Sequence, residues 1–215
     1  MPISPLRQYL EMLKNNGIKE LYRQENPVNN DKAKVLAELK AKYANCSKCP
    51  LQANRHNVVY GEGNPNAKVM LIGEGPGEQE DLSGRPFVGE SGQLLDRMLI
   101  AIDIQRTDIY IANIVKCRPP GNRNPEATER LACMPYLVEQ INIIRPRMLL
   151  VVGLVAAQTL LGNSNTLQWH RDKVHEFMGI PVYVTYHPAA LLRNPNWKRP
   201  AWEDLQAFQK EYQKL

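Results

Sequence analysis

Val69-Met70-Leu71-Ile72-Gly73, running straight into Glu74-Gly75-Pro76-Gly77, is the stretch on which the fold turns. Four apolar residues without polar alternation, closed by a glycine, read as a strand buried on both faces, the habit of a parallel sheet. Downstream the same unit recurs. Ser91 to Ile102 repeats Leu94, Leu95, Met98, Leu99 and Ile102 at helical spacing, and Ile109-Tyr110-Ile111-Ala112-Asn113-Ile114 reads as the next strand. Glu126 to Ile144 predicts a helix with a kink or break at Pro135. Met148-Leu149-Leu150-Val151-Val152-Gly153 is a third strand, followed by a helix over Val155 to Leu161. Pro181-Val182-Tyr183-Val184-Thr185-Tyr186 is a fourth, and Trp202 to Tyr212 a closing helix. Strand alternating with helix predicts an α/β fold: three α/β/α layers around a central four-stranded parallel sheet.

Upstream the character changes. Residues 1 to about 40 read as two polar helices split at Asn26-Pro27, the second running from Asp31 to Tyr43. The expected organisation is an N-terminal helical extension, 1–43, followed by one catalytic-sized domain, 44–215. The 215 residues are ample for a buried core.

Bulk chemistry narrows the function. Lys plus Arg number 27 against 22 acids, a net charge of +5, and that sign favours a polyanionic partner. No run approaches the roughly 18 apolar residues of a membrane span, and Met1-Pro2-Ile3-Ser4-Pro5-Leu6-Arg7 lacks the layout of a secretory signal. A cytoplasmic monomer without membrane attachment is expected. In that reducing compartment four cysteines point to metal ligands rather than disulfides. Cys46-Ser47-Lys48-Cys49 is a short pair, and Cys117 and Cys133 follow far downstream. Four soft thiolates suit one zinc ion or one four-iron cluster, and spacing leaves both open beside a third reading, unconnected buried cysteines.

In parallel sheets ligands bind beyond the carboxyl ends of the strands. Here those ends lead into Gly73-Glu74-Gly75-Pro76-Gly77, Asn113 and His187-Pro188, so three polar motifs are expected on one rim. The glycine-rich turn lets backbone amides approach a ligand, while Glu78, Glu80 and Asp81 argue against a phosphate cradle. Gly84-Arg85-Pro86-Phe87-Val88-Gly89 sets an aromatic in a loop, suited either to the core or to stacking on a planar base. Asn113 interrupts an apolar strand; its amide either caps a turn or offers a ligand one donor and one acceptor. The segment Ala189-Ala190-Leu191-Leu192-Arg193, with Lys198 and Arg199, has the makeup of a wedge that unstacks a duplex.

Taken together, these motifs resemble the family 4 uracil-DNA glycosylases, the iron–sulfur branch of the uracil glycosylase superfamily. The matching pieces are Gly73 to Gly77, Gly84 to Gly89, Ala112-Asn113, Lys116-Cys117-Arg118-Pro119-Pro120-Gly121-Asn122-Arg123, and His187 to Arg193, with the four cysteines, over roughly residues 44 to 212. The resemblance implies uracil-containing DNA as partner, hydrolysis of the N-glycosidic bond of a flipped uracil, and one structural 4Fe-4S cluster on Cys46, Cys49, Cys117 and Cys133. It also implies roles. Glu74, with Gly75, positions the attacking water. Phe87 stacks on the uracil, Asn113 reads its N3–O4 edge, Glu80 crowds C5 against thymine, and His187 stabilises charge on O2. Asn122 lines the pocket or the DNA groove, Leu191 enters the base stack, and Lys116 and Arg193 hold phosphates. Another branch carries an aspartate where this chain has Gly75, so little general-base catalysis is expected; the covalently capturing cousin has a histidine that the 118–123 segment lacks. Two rivals are a glycosylase of broader range, acting on hypoxanthine or xanthine, and a non-catalytic, metal-stabilised DNA-binding protein.

Overall fold

The computed structural model describes residues 31–215; the first of the two expected N-terminal helices lies outside them. Six strands form one sheet: β1 (Glu62–Gly63), β2 (Val69–Gly73), β3 (Tyr110–Asn113), β4 (Met148–Val152), β5 (His175–Phe177) and β6 (Ile180–Thr185), in the order β1-β3-β2-β4-β6-β5. The four expected strands, β2, β3, β4 and β6, are parallel and adjacent. The count of four is corrected to six by two antiparallel edges, β1 on β3 and β5 on β6. These are two and three residues long, too short to carry an apolar pattern. The β5–β6 hairpin turns on Met178 and Gly179, both at positive φ (54° and 78°), the geometry of a two-residue turn that follows the strand twist.

Alternate strand residues feed two cores, one on each face. Met70, Ile72, Ala112, Leu149 and Val151 pack with Met134, Leu137 and Ile141 of helix 127–144, with Leu160 of helix 154–161, and with Leu36 of helix 32–43. Val69, Leu71, Ile111, Leu150 and Val152 pack with Leu95 and Leu99 of helix 90–100 and with Leu205 and Phe208 of helix 198–212. Three layers result. Leu71 and Phe208 have no exposed surface, and truncating such a side chain costs about 2–5 kcal/mol.

Helix 127–144 runs through Pro135 without the expected break. The proline leaves the Leu131 carbonyl without its helical donor, and Leu131 lies on the solvent side, 37% exposed, where water can take that carbonyl. Helix 32–43 is capped by Asp31, whose carboxylate accepts from the Ala33 and Lys34 amides. It docks on helix 127–144: Lys32 Nζ donates to the Ile144 carbonyl at 2.9 Å, and Tyr43 donates to Glu139 at 3.0 Å. No helix among the described residues is long and apolar enough to cross a membrane.

Candidate active site

The carboxyl ends of β2 and β3 lie side by side, Gly73 opposite Asn113. A Cβ on Gly73 would collide with Asn113 Oδ1 and stand 2.6 Å from Phe87 Cζ. The glycine therefore lets Asn113 and Phe87 pack directly against the end of β2. Asn113 is 1% exposed, and its Oδ1 has no hydrogen-bond partner. A buried amide oxygen left without a donor is costly and calls for one from outside. Next to it, the Phe87 and His187 rings lie 5.6 Å apart at 31°. The rim of the sheet thus brings together an aromatic face, an amide edge and an imidazole, drawn from three loops.

Each of these side chains is held in place. His187 follows β6 and caps helix 188–193; its Nδ1 accepts from the Ala189 amide at 3.2 Å. That bond leaves the proton of the neutral ring on Nε2. Burial, then the Arg193 cation, pushes the imidazole down to about 4, against a smaller opposing effect of Glu80. The ring is neutral at physiological pH. Gly153, at φ 97° after β4, leaves room for it, since a Cβ there would sit 3.0 Å from His187 Cβ.

Phe87 takes a positive φ of 51°, strained for an aromatic residue. Its surroundings impose that shape. Arg106 donates from one nitrogen to the Phe87 carbonyl at 3.2 Å and to Asp96 at 2.9 Å, and from the other to Glu62 at 3.0 Å and to the Pro86 carbonyl. Gly92 lies beneath, where any Cβ would collide with the Phe87 carbonyl. Glu80 ties the other side: its carboxylate accepts from the amides of Gly77 (3.1 Å), Val88 (2.7 Å) and Gly89 (2.8 Å). Sequence reasoning singled out Glu80 but missed Arg106 and Gly92. Arg106-Thr107-Asp108 reads as an ordinary polar turn before a strand, and carries no signal of its role.

Glu74 and Gly75 follow β2 and are half-buried. Burial raises the Glu74 carboxyl above the ordinary value, with Arg130 opposing. A Cβ on Gly75 would press to 2.7 Å from Val115 Cγ2, so only glycine lets the turn lie this close to the chain after β3.

Two expectations are corrected by burial. Lys116 is corrected from a phosphate contact to an internal residue: it is 1% exposed, and its ammonium donates to the Asn113 carbonyl (2.8 Å) and Gln140 Oε1 (2.6 Å). Leu191 is likewise corrected. It is 2% exposed because it lies on the inward side of helix 188–193, whereas Leu192 beside it is 41% exposed. Asn122 is exposed, and its Oδ1 accepts from Arg118 Nε at 2.8 Å. Arg193 is exposed.

The four cysteines form no disulfide and together line one small pocket. The Lys116 amide donates to Cys133 Sγ (3.2 Å), Arg55 to Cys117 Sγ (3.5 Å), and Cys46 Sγ lies 2.9 Å from the Tyr136 hydroxyl. Lys48, Arg55 and Lys116 share the lining, and no carboxylate does. No set of three or more His, Cys, Asp or Glu side chains among the described residues is arranged as the ligands of a metal ion.

Comparison with known proteins gives the family. The family described as the uracil DNA glycosylase superfamily matches residues 60–206, a span holding all of the rim residues above. A type-4 uracil-DNA glycosylase of Pyrobaculum aerophilum is 41% identical over 184 residues, 80% of this chain and 92% of the relative. Those of Saccharolobus solfataricus and Thermotoga maritima are each 45% identical, over 74% and 69% of this chain and 78% and 79% of their own. The chain belongs to the type-4 uracil-DNA glycosylase family.

Proposed function

We propose that the chain removes uracil from DNA by hydrolysing the bond between N1 of the base and C1′ of the sugar, leaving an abasic site. The observation that carries this reading is the convergence at the end of β2 of Phe87, the unpartnered Oδ1 of Asn113 and His187. A uracil laid on Phe87 offers N3–H to Asn113 Oδ1 and O4 to its amide nitrogen. Cytosine, lacking the N3 proton and carrying an amine at C4, leaves both ends mismatched, and a polar site left unpaired rejects strongly. The base must leave the duplex to reach this site.

Bond cleavage moves negative charge onto the pyrimidine and positive charge onto the sugar. The neutral His187 donates Nε2–H to O2, where the anion's charge gathers, a preorganised donor of the kind that dominates such reactions. Glu74 holds the water that adds to C1′, and its raised carboxyl suits it to accept a hydrogen bond from that water. Glu80, braced by three amides, fixes the wall near C5. Leu192, not Leu191, is the apolar tip that fills the stack; Arg193 meets phosphate, and Asn122 faces the groove.

The thiol cavity fits a 4Fe-4S cluster. Its donors are soft and anionic, N–H groups point at two of the sulfurs, and three cations with no carboxylate suit a centre of net negative charge. When bound, the cluster supplies cross-linking rather than chemistry at the base. Unpaired thiols also suit a reducing compartment such as the cytoplasm.

Incubation with duplexes holding uracil, thymine, cytosine, hypoxanthine or xanthine, followed by alkaline cleavage, tests the activity. Strand scission at uracil alone is expected; scission at hypoxanthine at a similar rate, or none at uracil, overturns the reading.

A further inference from the structure

Lys116 stands between the two centres described above, and neither the reaction nor cluster ligation uses it. Its side chain is buried among neutral partners. The ammonium donates to the Asn113 carbonyl at 2.8 Å and to Gln140 Oε1 at 2.6 Å, and lies 5.9 Å from the Tyr60 ring. Among the described residues no carboxylate pairs with it. Gln140 is itself anchored, its amide donating to the Tyr60 carbonyl (2.8 Å) and the Tyr110 hydroxyl (3.3 Å). At its other end Lys116 belongs to the thiol centre: its amide donates to Cys133 Sγ, Cys117 is the next residue, and Lys116 lines the cavity with all four cysteines. A buried cation without a counter-ion is expensive. The four thiols share a pocket lining with Lys116, and thiolates there would supply negative charge beside it.

We propose that Lys116 is a positioning residue that couples the thiol-bound cluster to uracil recognition, its ammonium offset by the cluster's charge and clamping the Asn113 carbonyl. The clamp fixes the backbone where β3 ends, and so the direction of the Asn113 amide over Gly73. The cluster then has a function beyond holding loops together: it stabilises the cation that aims the base-reading side chain. This rests on Asn113 as the reader of uracil.

The test uses holoprotein carrying Lys116→Met, with the wild type alongside. Affinity for free uracil is expected to fall about tenfold, the worth of one good buried hydrogen bond to a charged group, and discrimination against cytosine should fall with it. Affinity for uracil-free duplex and its salt dependence should stay within about twofold. The cluster's reduction potential should move negative, because a nearby cation favours the more negative, reduced state. Unchanged uracil affinity, or a uniform loss of duplex affinity with a salt slope shallower by about one, overturns the proposal. Should Lys116→Met fail to assemble the cluster, Gln140→Leu, which leaves every atom beside the thiols intact, carries the same uracil measurement. Loss there supports the clamp, and unchanged affinity removes it. Wild type that cannot excise uracil would instead defeat the reading of the site.

Discussion

At the scale of single residues, protonation separates His187 from Glu74. Burial drives the imidazole down to about 4 and the Glu74 carboxyl upward. As pH falls, Glu74 therefore gains its proton above the ordinary carboxylate range, while His187 is still neutral. The acid limb of the excision rate is expected to follow Glu74, and Glu74→Gln should flatten it while lowering the plateau; an unchanged limb would assign it elsewhere. Because the folded imidazole titrates below its unfolded value of about 6.5, the unfolded state takes up its proton first. His187 stabilises the fold fully above about 6.5 and loses that contribution as pH drops toward about 4. Denaturant midpoints of wild type and His187→Asn, compared across this window, should diverge in that sense. Removing the donor outright in His187→Ala is expected to slow single-turnover excision by about 10²–10³, with duplex affinity nearly unchanged. Equal losses in both would contradict its role.

At the scale of elements, Phe87, the proposed stacking face, is held by groups from other elements. Loop 84–89 holds Phe87 at positive φ because Arg106 grips two consecutive carbonyls and Glu80 grips three amides. Arg106→Lys keeps the charge but loses the planar fork. Uracil affinity is expected to drop several-fold, with stability reduced by about 1–2 kcal/mol, measurable by equilibrium binding and urea unfolding. Gly92→Ala, with its Cβ against the Phe87 carbonyl, should be worse on both counts. The same elements mark how far the sequence was legible. Val69–Gly73 and Met148–Val152 announced themselves because strands buried on both faces are apolar throughout, and His187 and Asn113 stood out because each ends such a strand. Glu62–Gly63 and His175–Phe177 did not, being shorter than any period. Leu191 and Leu192 are chemically alike neighbours, and only the helix phase decides which one meets solvent. Lys116 sits among Arg118 and Arg123, where a basic run suggests phosphate, and only the fold turns its side chain inward.

At the scale of the whole molecule, the four cysteines come from distant parts of the chain, which the proposed cluster would join. Cys46 and Cys49 follow helix 32–43, Cys117 follows β3, and Cys133 lies within helix 127–144. Tyr43 and Tyr136 pack between them, ring centroids 4.1 Å apart, so the helix before the first cysteine rests on the helix that carries the last. A cross-link spanning Cys46 to Cys133 closes a long loop, and restricting the unfolded chain over that distance is worth about 4–5 kcal/mol in the chain-entropy account. Burial pushes the Cys133 thiol up to about 12, so the proposed cluster would have to hold it as the thiolate. Cys133→Ser should therefore lose the visible absorption of the cluster and several kcal/mol of stability together, in one cooperative step read by absorbance and by circular dichroism. The sheet's two cores do not pass through the thiols on the Phe208 face, so that face is expected to keep its secondary structure while helix 32–43 and the 44–59 segment become accessible to protease. Cleavage confined to that segment would mark the cluster as the fastener of this flank, and a chain digested throughout at the same rate would show that the whole fold requires it.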